Sequence, residues 1–197
     1  MDLCRSLIAA ASLALLAAAP ASAPRHYLID PAASEVAAKV AFFGLSSKTA
    51  RFPRLSGSLA FDPAEREAIT LDVEIDARTL TAPDTVTLGR LKSARFFWVE
   101  RYPTVRFAGR RMVLTSATQG TVAGHLTARG VTRPATLAVR FAEPPLGTGS
   151  HPIELVGTTT IDRRAFGMTA YPLVVGRRVG ITIRARLVPY GTGKPEV

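Results

Sequence analysis

The sequence predicts an all-β domain of about eight antiparallel strands. Three observations predict it: apolar and polar side chains alternate with a period of two, turn residues separate the alternating segments, and a helical pattern is confined to one stretch. The alternation is clearest in 71–76, 136–141 and 181–187. Turn residues follow or precede such segments, as at Asp62-Pro63 and Gly176.

Each predicted strand has one apolar face and one polar face, which suits an antiparallel sheet with one dry side. In chain order they are 36–43, 56–61, 71–76, 105–114, 121–127, 136–141, 153–161 and 181–187. The stretch 85–99 is the exception, because it has a helical pattern between Pro83 and Pro103. We expect a short helical or irregular segment there.

Composition indicates one globular domain with a basic surface. Of 197 residues, 47% are hydrophobic and 20% charged, so the chain can bury a full core and is not intrinsically disordered. The formal net charge is +10. Cys4 is the single cysteine, which excludes a disulfide framework, a thiolate zinc site and a paired-cysteine haem attachment.

The first residues have the pattern of a secretory signal peptide. Arg5 precedes an apolar run at 7–19, shorter than the ~20 residues of a membrane span. The small residues Ala19 and Ala21 predict cleavage before Ser22. We therefore expect residues 1–21 to be a signal peptide, residues 22–197 to form the domain, and the protein to be periplasmic or secreted.

The dry faces of the strands must be enclosed, either in a sandwich or in a closed barrel. Periodicity alone does not choose between them. An eight-stranded barrel has an interior just large enough for side chains or for one ligand. Small residues fall on the predicted dry faces, namely Ala38, Gly57, Gly124 and Ala185. They either leave room for a ligand or fit the taper of a filled barrel, and both interpretations stay open at this point.

Six motifs, in their order and spacing, carry a resemblance to a known family. They are Tyr27-Leu28-Ile29-Asp30-Pro31 with Ser34, Gly57 to Pro63, Leu91 to Phe97, Tyr102 to Phe107, Gly124 to Thr132, and Arg163 to Met168. Over roughly residues 27–188 the chain resembles the YceI-like, polyisoprenoid-binding family of exported lipid-binding proteins. The resemblance implies a single lipocalin-like antiparallel β-barrel that holds a long isoprenoid chain in an apolar channel.

The candidate ligand-binding residues are apolar and lie on the first predicted strand, in an aromatic cluster near residue 100, on the predicted strand 121–127, and around Gly167. They are Val40, Phe42, Phe96, Phe97, Trp98, Phe107, Leu126, Phe166 and Met168. As a channel wall, such side chains accept a long apolar ligand of varied shape. The aromatic cluster can equally be a core plug under a loop.

The chain departs from the family pattern where polar groups are usual. Phe42 stands where members often have a His, while Arg95, Ala165 and Arg177 stand where an acidic residue is usual. A polar cluster is replaced by residues 87–90. Binding of a polar head group, a metal or haem through those groups is therefore not implied for this chain, whereas the apolar channel is.

We predict no catalytic set, no metal site and no cofactor. A nucleophilic triad needs a His beside a Ser or Cys and a carboxylate, and His26, His125 and His151 lie outside any Gly-x-Ser-x-Gly turn. His, Asp and Glu residues lack the spacing of a zinc site. Nucleic acid is not an expected partner, because no helix is available to enter a groove.

Three arginine doublets lie near predicted strand ends: Arg110-Arg111, Arg163-Arg164 and Arg177-Arg178. Either they solvate the barrel, or they attract an anionic membrane or lipopolysaccharide surface with ~1 kcal/mol per basic residue.

The sequence thus predicts an exported, non-catalytic protein that holds an isoprenoid (polyisoprenoid or quinone-like) or other long-chain lipid. Two alternatives are a filled basic barrel that binds anionic envelope surfaces and a lipid-modifying enzyme.

Overall fold

The computed structural model of the protein describes residues 24–65, 67–147 and 151–190. The predicted signal peptide, 1–21, lies outside the described residues. The strands are β1 (Arg25–Ile29), β2 (Glu35–Phe42), β3 (Ser46–Phe52), β4 (Leu55–Phe61), β5 (Ala68–Asp76), β6 (Thr104–Ser116), β7 (Gln119–Ala128), β8 (Val131–Phe141), β9 (Ile153–Asp162) and β10 (Val175–Pro189). The α-helix α1 spans Thr85–Lys92, within the segment predicted to be helical or irregular.

These segments form a closed antiparallel barrel of eight strands, which confirms the predicted fold class. β1 and β2 make one interrupted strand, broken by a short 3-10 helix at Pro31–Ala33, and β3 and β4 make another, broken at Pro53. The other strands follow as an up-and-down meander. β10 closes the barrel, because one of its edges pairs with β9 and the other pairs with β2 and β1.

Two of the strand segments, β1 and β3, were not predicted from the alternation. β1 has only five residues, too few to show a period. The first four residues of β3, 46–49, are all polar. They pair with β2 on one side, while the other edge of β3 meets Thr81 through two backbone hydrogen bonds with Arg51, of 3.0 and 2.9 Å. In the described structure β3 is therefore an edge strand, and its first half shows no alternation because residues 46–49 include no apolar side chain.

The connections divide the barrel into two ends. At the mouth end are the connections 43–45, 77–103, 129–130 and 163–174, and at the far end are 62–67, 117–118 and 142–152. The longest, 77–103, contains α1 and packs on the barrel, where the ring of Phe97 meets that of Phe52 edge-on at 5.5 Å. No helix among the described residues is long and apolar enough to span a membrane.

α1 is fixed at its start by Asp84. The Asp84 carboxylate accepts a 2.7 Å hydrogen bond from the Thr87 backbone N–H and a 2.9 Å bond from Lys48 Nζ of β3. Such an N-cap satisfies a backbone donor that the helix leaves unpaired. These contacts, with the backbone N–H of Thr87 as the largest cause, lower the pKa of Asp84 to about 2. Asp84 therefore joins α1 to the β2–β3 hairpin across the mouth end.

Candidate functional site

The barrel encloses an apolar inner chamber of about 170 Å³. Inward side chains from the strands line it, and among the described lining residues only Thr159 and Arg163 have polar side chains. Leucine, isoleucine, valine and phenylalanine side chains dominate the wall. A chamber of this kind can bury an apolar chain but gives it few directed polar contacts.

A second, outer chamber of about 430 Å³ lies at the mouth end. Its walls come from the upper part of β2, from α1 and from the 163–174 connection, so three separate pieces of the chain build it. Lys48, Asp84, Arg90 and Tyr171 add polar groups to a mainly apolar wall. The outer chamber is therefore the more polar of the two.

The two chambers adjoin each other. They share the lining residues Ala38, Phe97, Arg163, Met168 and Val179. Ala38 presents only a methyl group at this junction, whereas Phe97 and Met168 are the bulky side chains facing it. We call the inner chamber, the junction and the outer chamber together the channel.

Seven of the nine candidate ligand-binding residues line this channel. Val40, Phe42 and Phe96 border the outer chamber, Phe107 and Leu126 border the inner one, and Phe97 and Met168 border both. The fold thus brings side chains from four distant parts of the sequence around two adjoining chambers.

Trp98 and Phe166 border neither chamber of the described structure, so the cavity geometry does not support their assignment as ligand-binding residues, which stays a prediction. Trp98 has a positive φ of 50°, and its ring packs edge-on against Tyr102, with centroids 5.8 Å apart, and under the guanidinium of Arg101. Phe166 is a core residue, buried in the 3-10 helix Arg163–Phe166. Both residues support the mouth end instead of facing the channel.

The small dry-face residues have two different roles. Ala38 and Ala185 line the inner chamber, where they leave space. Gly57 and Gly124 do not line it, and a Cβ at either would lie only 2.3 Å from a backbone oxygen of the neighbouring strand. These two glycines allow adjacent strands to approach closely.

Arg163 is a site residue that the sequence reasoning missed. The doublet Arg163-Arg164 was expected to solvate the surface or attract anions, but Arg163 is 2% exposed whereas Arg164 is exposed. The Arg163 guanidinium donates to the backbone carbonyl oxygens of Gly176 and Val175, both at 2.8 Å, and of Met168. Burial lowers its pKa.

These bonds explain why an arginine is tolerated in an apolar wall. Its planar fork has five N–H donors, and three carbonyls of the 163–176 segment accept from it. Its guanidinium also lies 5.8 Å from the centroid of the Phe96 ring. Arg163 therefore holds one wall of the outer chamber in place. The only sequence signal was its position at the start of the family motif 163–168.

Tyr171 was also missed. Its hydroxyl accepts a 2.8 Å hydrogen bond from Arg95, and its ring is stacked on Phe96 with centroids 6.2 Å apart. The guanidinium of Arg90 lies 5.4 Å from the same ring. Tyr171 thus links the 163–174 connection to the α1 segment across the outer chamber.

The net positive charge of the protein is concentrated at the mouth end. Residues 39–48, 76–103, 129–133 and 162–178 contain thirteen Lys and Arg and four Asp and Glu. Residues 24–26, 61–68, 110–119, 140–154 and 188–190, at the far end, contain five of each. Nearly all of the net positive charge therefore surrounds the opening of the channel.

The described residues contain no cluster of three or more His, Cys, Asp or Glu that could hold a metal ion. His125 is exposed on β7 and His26 on β1, outside both chambers. Asp72 and Asp162 each have a lowered pKa, first because a neighbouring arginine donates a hydrogen bond to the carboxylate. These carboxylates lie in surface ion pairs and do not border the channel.

Comparison with known proteins gives the same fold over nearly the same residues. The family model described as YceI-like domain matches residues 27–187. A UPF0312 protein of Vibrio cholerae is 28% identical over 171 residues, covering 83% of this chain and 88% of its own. One from Pseudomonas savastanoi pv. phaseolicola is 30% identical over 158 residues, covering 79% and 82%.

Two crystal structures share the architecture. BcnA of Burkholderia cenocepacia aligns with a TM-score of 0.71 at 22% identity, over 80% of this chain and 98% of its own. A polyisoprenoid binding domain from Saccharophagus degradans aligns with a TM-score of 0.63 at 17% identity, over 83% and 98%. At such identities the likeness establishes the fold alone.

Proposed function

Since the chain belongs to the YceI-like family, we propose that it is an exported, non-catalytic protein that holds a long-chain isoprenoid, polyisoprenoid or quinone-like, or a related apolar lipid in its channel. The single observation that carries the proposal is the apolar inner chamber, which the outer chamber adjoins at the mouth end. A fold neighbour that is itself a polyisoprenoid binding domain supports the ligand class.

The energetics favour a long apolar ligand over a small polar one. Each buried methylene-sized group contributes ~0.8 kcal/mol, so one five-carbon isoprene unit contributes ~4 kcal/mol. Association and ordering cost several kcal/mol. Two or more units are therefore needed for stable binding, and with few polar groups in the inner wall the selection is by length and shape.

We propose binding without chemistry because the polar groups are in the wrong places for a reaction on a buried lipid. The inner wall has no carboxylate and no histidine among its described residues. Of the outer wall's polar groups, Asp84 is held in the N-cap of α1 and by Lys48. An enzyme would need an acid or base facing the bound chain.

The charge distribution favours a second role for the mouth end. We propose that its basic residues attract an anionic membrane or lipopolysaccharide surface, in the periplasm or outside the cell, where the lipid is exchanged. The observation that favours this is the excess of thirteen basic over four acidic residues at that end. Electrostatic attraction would act at long range, and apolar burial would hold the ligand once it had entered the channel.

Mass spectrometry of organic extracts from protein purified after export tests the proposal. Ala38→Phe fills the junction of the two chambers, so we expect at least a tenfold lower lipid content than in wild type. Ala138→Phe is the matched control, since Ala138 is exposed on β8. If wild type carries no lipid and takes up no added polyprenol, the filled-barrel alternative replaces the proposal.

A further inference from the structure

The mouth end exposes large apolar side chains that the fold does not use. Leu45 is 97% exposed, Leu173 95%, Phe43 62% and Val86 60%. The other large apolar residues counted as exposed in the described structure are Leu28, Val156 and Tyr190, outside the mouth-end connections. We call Phe43, Leu45, Val86 and Leu173 the apolar rim.

The apolar rim lies beside the outer chamber at the mouth end. Phe43 and Val86 are lining residues of that chamber. The Phe43 backbone N–H donates a 2.8 Å hydrogen bond to the Val174 carbonyl, which ties the β2–β3 turn to the connection that carries Leu173. Leu45 lies in the same three-residue turn as Phe43. The rim residues thus come from the 43–45 turn, from the first turn of α1 and from the 163–174 connection, all at the mouth end.

Phe43, in the 43–45 turn, has an unfavourable backbone conformation and an exposed ring. Phe43 has a φ of 53°, in the left-handed region that favours glycine and is costly for a bulky side chain. Its ring touches Phe42 edge-on at 4.8 Å but is otherwise largely exposed. Neither backbone preference nor burial within the chain accounts for an aromatic residue at this position.

The positive charge around the apolar rim favours an anionic partner. The mouth end has thirteen basic and four acidic residues, so a second copy of the chain meeting it face to face would be repelled. An anionic bilayer offers both complements, negative head groups for the arginines and lysines and an apolar interior for the leucines. Amphipathic surfaces bind membranes by this combination.

We infer that the apolar rim inserts into an anionic phospholipid bilayer and seats the mouth of the channel directly on the membrane. The ligand then passes between the bilayer and the channel without crossing water. This inference rests on the proposed lipid-binding function for its purpose, but the insertion itself can be measured separately from the contents of the channel.

The test uses protein purified after export, from which the segment carrying Cys4 is expected to have been removed. A single cysteine introduced by Leu45→Cys or Tyr190→Cys is labelled with the polarity-sensitive fluorophore NBD. Vesicles of phosphatidylglycerol and phosphatidylcholine are then added. We expect a blue shift and increased emission at position 45 and no change at position 190, which is exposed at the far end.

Vesicle co-sedimentation gives the second measurement. The double variant Leu45→Ser/Leu173→Ser should partition into these vesicles at least tenfold less than wild type, whereas Tyr190→Ser should partition equally well. Because the rim leucines are nearly fully exposed, their replacement should leave the melting temperature unchanged. The double variant should also bind the soluble probe N-phenyl-1-naphthylamine with wild-type affinity.

Three results would overturn the inference. One is equal vesicle partition of wild type and the double variant, and another is an NBD signal that changes at both positions alike. The third is that wild type does not bind vesicles but forms a concentration-dependent dimer, and that the double variant stays monomeric. That result would make the apolar rim a protein-binding surface. Failure of the probe to enter the wild-type channel would instead contradict the proposed function.

Discussion

Arg163 Nε donates a 2.8 Å hydrogen bond to the carbonyl oxygen of Gly176, across a connection of twelve residues. The same guanidinium bonds Val175 and Met168. These bonds fold the 163–176 segment back on its own first residue. The segment and α1 both line the outer chamber. A buried cation thus shapes a largely apolar site without any carboxylate paired to it in the described structure.

Replacing Arg163 should therefore be costly. Arg163→Met leaves three carbonyl oxygens without their donor, and a buried unpaired polar group costs roughly 1 to 3 kcal/mol. We expect the free energy of unfolding in urea to fall by about 3 kcal/mol or more. Arg164→Met is the matched control, because its side chain is exposed and such changes stay within about 0.5 kcal/mol. Equal losses in both variants would contradict this role.

The free energy of unfolding should decrease in acid as Asp84, a carboxylate of the mouth end, becomes protonated. The pKa of Asp84 is lowered from 3.8 to about 2, first by the Thr87 backbone N–H and then by Lys48. The stabilisation is fully present above 3.8 and is lost as the pH falls through about 2. Thermal unfolding from pH 7 to pH 2 should follow this course.

The variant Asp84→Asn isolates this contribution. It should melt at a lower temperature than wild type at pH 7, and the difference should shrink below pH 3, where the wild-type carboxyl also becomes protonated. A difference that is constant from pH 7 to pH 2 would show that the lost stability has a cause other than charge.

The parts of the fold that could be predicted are those with a sequence period. Alternation in 71–76 and 181–187 places Val73 and Ile183 on the inner wall, where the structure has them. Period alone did not choose a closed barrel, because closure depends on β10 pairing with β1 and β2, which are more than 130 residues away along the chain. The resemblance supplied that step.

The site was less predictable where a residue's role depends on tertiary surroundings. Arg163 and Arg164 are adjacent residues of the same type, yet Arg163 is buried among carbonyl oxygens and Arg164 is exposed. Trp98 lies next to Phe97, which lines the channel, but Trp98 itself has a positive φ and borders neither chamber. The exposed Leu45 and Leu173 have no sequence signal, because an isolated leucine in a loop usually packs inward.

Processing can be tested on the exported protein. Ala19 and Ala21 fit the small residues needed before a cleavage site, so N-terminal sequencing should begin at Ser22. A sequence that begins at Met1 in the purified protein would contradict both the cleavage site and the proposed localisation.

The basic mouth end should make binding to anionic vesicles depend on salt. Arg177→Ser/Arg178→Ser removes two exposed charges beside the opening and should weaken vesicle binding at low salt. At 1 M salt, where the Debye length is ~3 Å, wild type and variant should differ little. Arg177 is paired with Asp162 at 2.6 Å, so Arg178 should contribute more of the effect.

The far end supplies the control for this experiment. Arg110→Ser/Arg111→Ser removes the same number of charges, and one of them, Arg111, is likewise paired, with Glu67 at 2.7 Å. If position at the mouth matters, this variant should bind vesicles as wild type does. Equal weakening by both doublets would mean that net charge alone drives the association.

Phe42 distinguishes an open channel from a filled barrel. It borders the outer chamber and is only partly buried, so Phe42→Ala removes wall surface without opening a sealed cavity. We expect a stability loss of about 1 kcal/mol, well below the ~3 to 5 kcal/mol of a phenylalanine in a packed core. Retained lipid should decrease, because less apolar surface contacts the ligand.

Phe166→Ala calibrates the measurement, because Phe166 is 2% exposed and borders neither chamber. Its loss should cost the full ~3 to 5 kcal/mol. Urea unfolding and mass spectrometry of extracted lipid are measured on both variants. If Phe42→Ala destabilises as much as Phe166→Ala and leaves the lipid content unchanged, Phe42 is packed as in a filled barrel, and the outer chamber is not part of the ligand's path.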